Sequence, residues 1–275
     1  MARSQPSNVA VSVRQRLLNR ARAQEEDYQV LLTRYVLERF LYRLSQSLHR
    51  DRFVVKGAML FLLWKGEFHR TTRDLDLLAF GSSEIAHLEA VVREICTVAV
   101  EVEDGIVFHP ETIQGRAIRE DQIYDGVRVT VVARLGSARL PLQIDIGFGD
   151  AIIPAPAKED FPVLLDFPAP ALPVYPRETV VAEKFQAMVE LGITNSRMKD
   201  FYDLWYLSGH FAFDGPTLVR AITATFERRG TPLPSTLPLA LTAEFADDPT
   251  KQTQWNAFLR RGGLKTEAMT LREVI

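Results

Sequence analysis

Apolar positions recur at three- and four-residue steps over residues 9–48: Leu17 and Leu18, Tyr28, Leu31 and Leu32, Tyr35 and Val36, Phe40 and Leu41, then Leu44. That spacing lines one side of a helix, so it predicts helix across the stretch. The period then shortens. After a polar break at 45–52, residues 53–55 and 75–80 read as short apolar strands. Residues 60–65 form a helix packed behind the first strand, and 65–72 loop to the second. Residues 82–97 return to helical spacing after a turn at Gly81, with Ser82 or Ser83 as the cap. Valine-rich alternation at 127–133 and 140–146 predicts two more strands, joined by a turn at Gly136 and Ser137.

Residues 154–176 carry seven of the fifteen prolines. Such a segment suits neither a regular helix nor a central strand, and an extended surface connector is expected. Beyond it, 179–192 and 195–207 read as helices, with weaker ones in the last 60 residues. A chain of 275 residues can bury a full core as one large domain or two small lobes. The expected fold is therefore mixed α/β (α+β). A lobe with a small mixed sheet spans residues 1–153, the proline-rich connector 154–177, and a mainly helical lobe 178–275.

Charge narrows the partners. With 33 basic and 35 acidic residues the net charge is −2, which excludes a uniformly basic nucleic-acid binder but permits a local patch. Arg14, Arg16, Arg20 and Arg22, continued by Arg34, Arg39, Arg43, Arg50 and Arg52, would form one, although such a run is commonly a solvated helix face. Cys96 is the only cysteine and sits in an apolar setting, so it reads as a buried thiol in a reducing, cytoplasmic chain. The N-terminus has no apolar segment of signal-peptide type, and the longest apolar stretch, 58–64, is too short for a membrane span. The five histidines lack metal-ligand spacing, which gives zinc catalysis no footing.

Chemistry concentrates at two places. In a strand, Asp74 and Asp76 share one face while Leu75 and Leu77 take the other, which sets two like charges roughly 7 Å apart. Both ionise comfortably only with a cation between them, and a hard divalent ion such as Mg2+ suits carboxylate oxygens. Asp145 is the only charge in the apolar run 142–147. It is either a third metal ligand, the reading favoured once the pair is present, or the partner of an arginine. The second place is helical. Lys184 stands among apolar residues, and Asp200 lies one turn from Asp203 on the next helix. On the residues alone, a Lys184–Asp200 salt bridge that fixes helix packing is the better account.

Three ordered blocks resemble the AbiEii/AbiGii family of abortive-infection nucleotidyltransferase toxins: Val55-Lys56-Gly57 with Arg70-x-x-Arg73-Asp74-Leu75-Asp76; Gln143-Ile144-Asp145-Ile146; and Ala182-Glu183-Lys184 with Arg197-x-Lys199-Asp200-x-Tyr202-Asp203-Leu204. The likeness runs from about Tyr28 to Leu207. It implies the DNA polymerase β-like nucleotidyltransferase fold, with Asp74, Asp76 and Asp145 binding Mg2+ (two ions), and Lys184 and Asp200 completing the catalytic set. It also implies that Lys56, Gly57 and Ala58 hold the NTP through backbone donors, with Thr72, Arg73 and Lys199 as further phosphate contacts. Where the superfamily has Gly-Ser or Gly-Gly after the first strand, this chain has Gly57-Ala58, so one hydroxyl is missing; Lys56, Thr71, Thr72 or Ser82 could replace it. The implied activity is transfer of NMP from an NTP to RNA, at the tRNA 3′ acceptor end, which blocks translation. A cognate antitoxin is the implied protein partner. Transfer onto a protein hydroxyl and a non-catalytic nucleotide-binding regulator stay open as alternatives.

Overall fold

The computed structural model describes residues 9–66, 72, 74–120, 124–262, 264 and 269–275. Two helices open it, α1 (Val9–Gln24) and α2 (Tyr28–Gln46). The helical stretch of the sequence is thus broken once. Glu25 takes a positive φ of 54°, and the Asp27 side chain caps α2 by accepting the Val30 N–H. There follow β1 (Phe53–Lys56), α3 (Met59–Lys65), β2 (Asp74–Ala79), α4 (Ile85–Cys96), β3 (Ile106–Glu120), β4 (Tyr124–Leu135), β5 (Ala138–Phe148), β6 (Ala157–Asp160) and β7 (Ala171–Val174). The helix α4 starts later than its serines suggested. The Ser82 hydroxyl accepts the Glu84 N–H in a local turn and caps nothing.

These strands form one mixed sheet in the order β3-β4-β5-β2-β1-β7-β6. Strands β2 and β5 run parallel, as do β1 and β7, while β1–β2, β3–β4 and β4–β5 are antiparallel. One face is apolar: Leu75, Ile144 and Val129 lie side by side with no exposed surface, and Gly115 continues their row. Helix α4 covers that row. A Cβ on Gly115 would lie 2.5 Å from Ile85 Cγ2, and Glu89 accepts the Gly115 N–H at 2.6 Å. Helix α2 covers the same face further along, where Phe40 meets Phe108 edge-on at 5.8 Å. Each large apolar side chain buried there contributes about 2 kcal/mol. With the helices on this side, the alternate positions of β2, β4 and β5 turn their polar side chains to the other.

The proline-rich stretch differs from the expected extended surface connector. It supplies β6 and β7, and β7 lies within the sheet, between β1 and β6. Pro173 is tolerated because β7 meets β1 at a single register position, Val55↔Val174, so the missing N–H breaks no ladder. The arginine run explains the rest. The Leu164 C=O accepts from Arg20 and the Pro168 C=O from Arg39, both at 2.8 Å, while Glu38 accepts the Leu164 N–H at 2.7 Å. Arg43 grips Asp104 with both Nη atoms, at 2.8 and 3.1 Å. Arg34, Arg39 and Arg43 are buried. Much of the supposed surface patch is therefore internal scaffolding, supplying donors to a loop that cannot satisfy its own carbonyls. Burial pushes the Glu38 carboxyl up to about 7, against the opposing pull of Arg39 and the Leu164 N–H.

The chain divides into two compact units. The first runs to Gly149 and takes back Lys158–Val174, and so includes the sheet. The second comprises Asp150–Ala157 and Tyr175–Ile275. It holds α5 (Arg177–Leu191), α6 (Met198–His210), α7 (Gly215–Arg229), α8 (Ala243–Asp247), α9 (Pro249–Gly262) and α10 (Leu271–Val274). Its core gathers Met188, Met198, Phe201, Phe245, Trp255 and Leu259, with Phe201 stacked on Phe245 at 5.2 Å. Among the described residues no helix is long and apolar enough to cross a membrane.

Candidate active site

Strand register brings the predicted carboxylates together on the polar face. Asp76 of β2 stands opposite Asp145 of β5, and on its other side opposite Lys56 of β1. Asp145 in turn stands opposite Arg128 of β4, which is opposite Arg116 of β3. A single row across five strands therefore reads Lys56, Asp76, Asp145, Arg128, Arg116. Two carboxylates sit at its centre with cations on both flanks. Asp74 lies one step along, opposite Gln143, so Asp74 and Asp76 share the face as their spacing required. The Thr72 hydroxyl donates to the Asp74 C=O at 3.2 Å and braces the start of β2. Arg70, Thr71 and Arg73, also singled out in the sequence, lie outside the described residues.

The turn after β1 is built against this row. Gly57 adopts φ +73°, which L side chains rarely adopt, and a Cβ there would fall 1.9 Å from Asp76 Oδ2. Glycine is thus required twice, by conformation and by space, and the backbone lies directly against the carboxylate. Ala58 follows with 3% of its surface exposed. A hydroxyl at that position would have to find a buried partner, which gives a packing reason for the departure from Gly-Ser.

Asp145 is held by Arg128, whose Nε and Nη2 each donate to one carboxylate oxygen at 2.7 Å. This bidentate fork fixes the plane of the carboxylate. Arg128 was missed in the sequence, yet its signal was there: it alternates with Val127 and Val129 on the polar side of a recognised strand. The donor chemistry of Asp74 and Asp76 fits a hard divalent cation. Asp145 Oδ2 also accepts from Gln143 Nε2 at 3.4 Å, and Oδ1 keeps a second lone pair beside the one given to Arg128. Among the described residues no group of three or more histidine, cysteine or acidic side chains is placed to hold a metal ion. The face therefore presents two carboxylates from β2 and a third oriented by an arginine.

The second unit carries its own charge cluster. Lys184 of α5 forms ion pairs with Asp200 and, at 2.8 Å, with Asp203, both of α6. Arg197 donates from Nε to the other oxygen of Asp200 at 2.7 Å. Asp200 and Asp203 have no exposed surface, whereas Lys199 is exposed. Burial alone would push the Asp200 carboxyl up. The charges of Lys184, Arg197 and Lys199, with the Lys184 hydrogen bond, outweigh it and hold the group down at about 2. Asp203 belongs to this cluster as fully as Asp200, and its position three residues further along the helix was the signal for it.

Over residues 39–274 the sequence matches the family described as nucleotidyl transferase AbiEii toxin, type IV TA system. None of the curated proteins matches it. Among solved structures, the fold is similar to JHP933 from Helicobacter pylori, with a TM-score of 0.50 and 15% identity over 90% of this chain and 88% of that one. It is also similar to a candidate nucleotidyltransferase from H. pylori, with a TM-score of 0.51 and 14% identity over 90% of both chains. At these identities the likeness is one of fold.

Proposed function

The chain belongs to the AbiEii nucleotidyl transferase toxin family of type IV toxin–antitoxin systems, and from that premise we propose that it transfers NMP from an NTP to RNA. The acceptor is the 3′ end of tRNA, the consequence is blocked translation, and a cognate antitoxin is the partner. The observation that supports this reading most is the five-strand row with Gly57 pressed against Asp76.

In the reaction the acceptor hydroxyl oxygen bonds the α-phosphorus while the bond to pyrophosphate breaks, and the hydroxyl proton leaves to a carboxylate. Asp145, held in one orientation by Arg128, is suited to receive it. Asp74 and Asp76 would hold Mg2+, which when bound supplies charge neutralisation to the triphosphate. Lys56 adds a cation on the same row. The Gly57 turn lets backbone approach the phosphates where a side chain would block it. Lys184 and Asp200 enter through the family resemblance alone.

The test is a panel of four labelled NTPs with Mg2+ and total tRNA. Labelled RNA is expected, lost with EDTA and in Asp74→Ala. Lys184→Ala is expected to lose it too, with melting recorded to separate chemistry from unfolding. If a folded, metal-loaded protein labels no RNA with any nucleotide, the reading fails. Labelled protein bands in its place would assign a protein hydroxyl as acceptor.

A further inference from the structure

The polar face continues beyond the carboxylates in an unbroken antiparallel register. Thr130 stands opposite Gln143, Val132 opposite Pro141, and Arg134 opposite Arg139, close to the turn that joins β4 and β5. Positions two apart on a strand share a face, so these pairs lie on the side of Arg128 and Asp145. Arg116, Arg134 and Arg139 are exposed, and among the described residues none of the three forms an ion pair. Like charges directly opposite each other on a sheet repel. Folding alone thus gains nothing from setting Arg134 against Arg139, while Arg128 is already held by Asp145 and leaves Arg116 as the exposed charge at the other step. An anion laid across them gains from both.

Arg128 and Arg134 are six residues apart, roughly 20 Å of strand. Two cationic steps therefore mark the ends of a strip on β4 and β5, with Thr130, Val132, Pro141 and Gln143 between them, while on β3 His109, bonded to Glu111, stands opposite Val132. We infer that this face of β3, β4 and β5 is the track of a single-stranded nucleic acid, its end at Asp145 and its backbone running toward Arg134 and Arg139. The inference rests on the reading of RNA as acceptor and adds where the strand lies. The β4–β5 pairs between the two steps include no aromatic side chain, so recognition along them falls to phosphates. A second polyanion, an acidic peptide, would meet the same charges and is separated by experiment.

The double variant Arg134→Ala/Arg139→Ala is compared with the full wild-type chain by fluorescence anisotropy. The probes are a mixed-sequence single-stranded RNA oligonucleotide and a polyglutamate peptide, titrated over a salt series. Two lost phosphate contacts should weaken RNA binding about 25-fold at about 0.1 M salt and flatten the log K against log salt slope by about 1.4. The variant should melt no lower than wild type, since both side chains are exposed and mutually repulsive. Equal affinity and slope in the two proteins, or tighter wild-type binding of polyglutamate than of RNA, overturns the track. RNA labelling by the wild type distinguishes the two levels. Labelled RNA with an unchanged slope discards only the track, whereas no labelled RNA discards the acceptor reading with it.

Discussion

Replacing Gly57 by alanine should disable the carboxylate face while the chain still folds. At φ +73° an L residue costs about 1–2 kcal/mol in backbone strain. The new Cβ would meet Asp76 Oδ2 at 1.9 Å, Cγ at 2.7 Å and Cβ at 2.8 Å. Ordinary contact begins near 3.4 Å, so the oxygen must retreat by about 1.5 Å or the turn must open. A misplacement of about 1 Å at a reacting centre can cost roughly 100-fold. The expected result is a loss of nucleotide labelling of at least about 100-fold, with a melting temperature lower by roughly 2–10 °C. Gly230→Ala is the control. It carries the same strain at φ +64° with nothing within 4 Å of the new Cβ, so it should lose stability and keep activity. Labelling within a few-fold of wild type in Gly57→Ala, or an equal loss in Gly230→Ala, would refute the reasoning.

Arg128→Ala strips the two arginine hydrogen bonds from Asp145, leaving the Gln143 contact at 3.4 Å, and should cost on the order of 1–3 kcal/mol by urea denaturation, a figure discounted because the Arg128 side chain is 25% exposed. An unchanged midpoint would show that water replaces the fork. Lys184→Met leaves Asp200 and Asp203 buried without their shared cation, a loss on the order of 3–5 kcal/mol. Adding Asp203→Asn should recover part of that loss, and strict additivity of the two changes would contradict the contact. Glu38 titrates near 4.5 when unfolded and near 7 when folded, so the folded state binds more protons between those values. Its contribution is therefore fully present below about pH 4.5 and is lost as pH rises to about 7. Glu38→Gln should flatten the stability profile across that window, and a profile with the wild-type slope counts against the assignment.

Several elements were hidden for identifiable reasons. Strand β3 carries Pro110, Gly115 and scattered charges, so neither period emerges, and its register shifts between His109 and Gln114. It exists because β4 offers a partner edge and α4 a cover. The prolines of 154–176 forbid a self-contained strand but not one strand edge resting on β1. The arginines of α1 and α2 follow a spacing that leaves their facing unresolved. Only the return of residues 161–170 over those helices turned part of the run inward.

What the sequence determined by itself was local. Alternation by two placed Asp74 and Asp76 on one face, and the glycine after β1 marked a turn. Both follow from near-neighbour geometry, which holds wherever the strand lies. Which groups those carboxylates meet was decided by pairing across the chain: Asp76 with Asp145, and Asp145 with Arg128. The sequence left Asp145 between a metal ligand and an arginine's partner, and the fold supplies that arginine. Such partners are set by the register in which distant strands bury their apolar sides, and a shift of one residue would move every one of them to the opposite face.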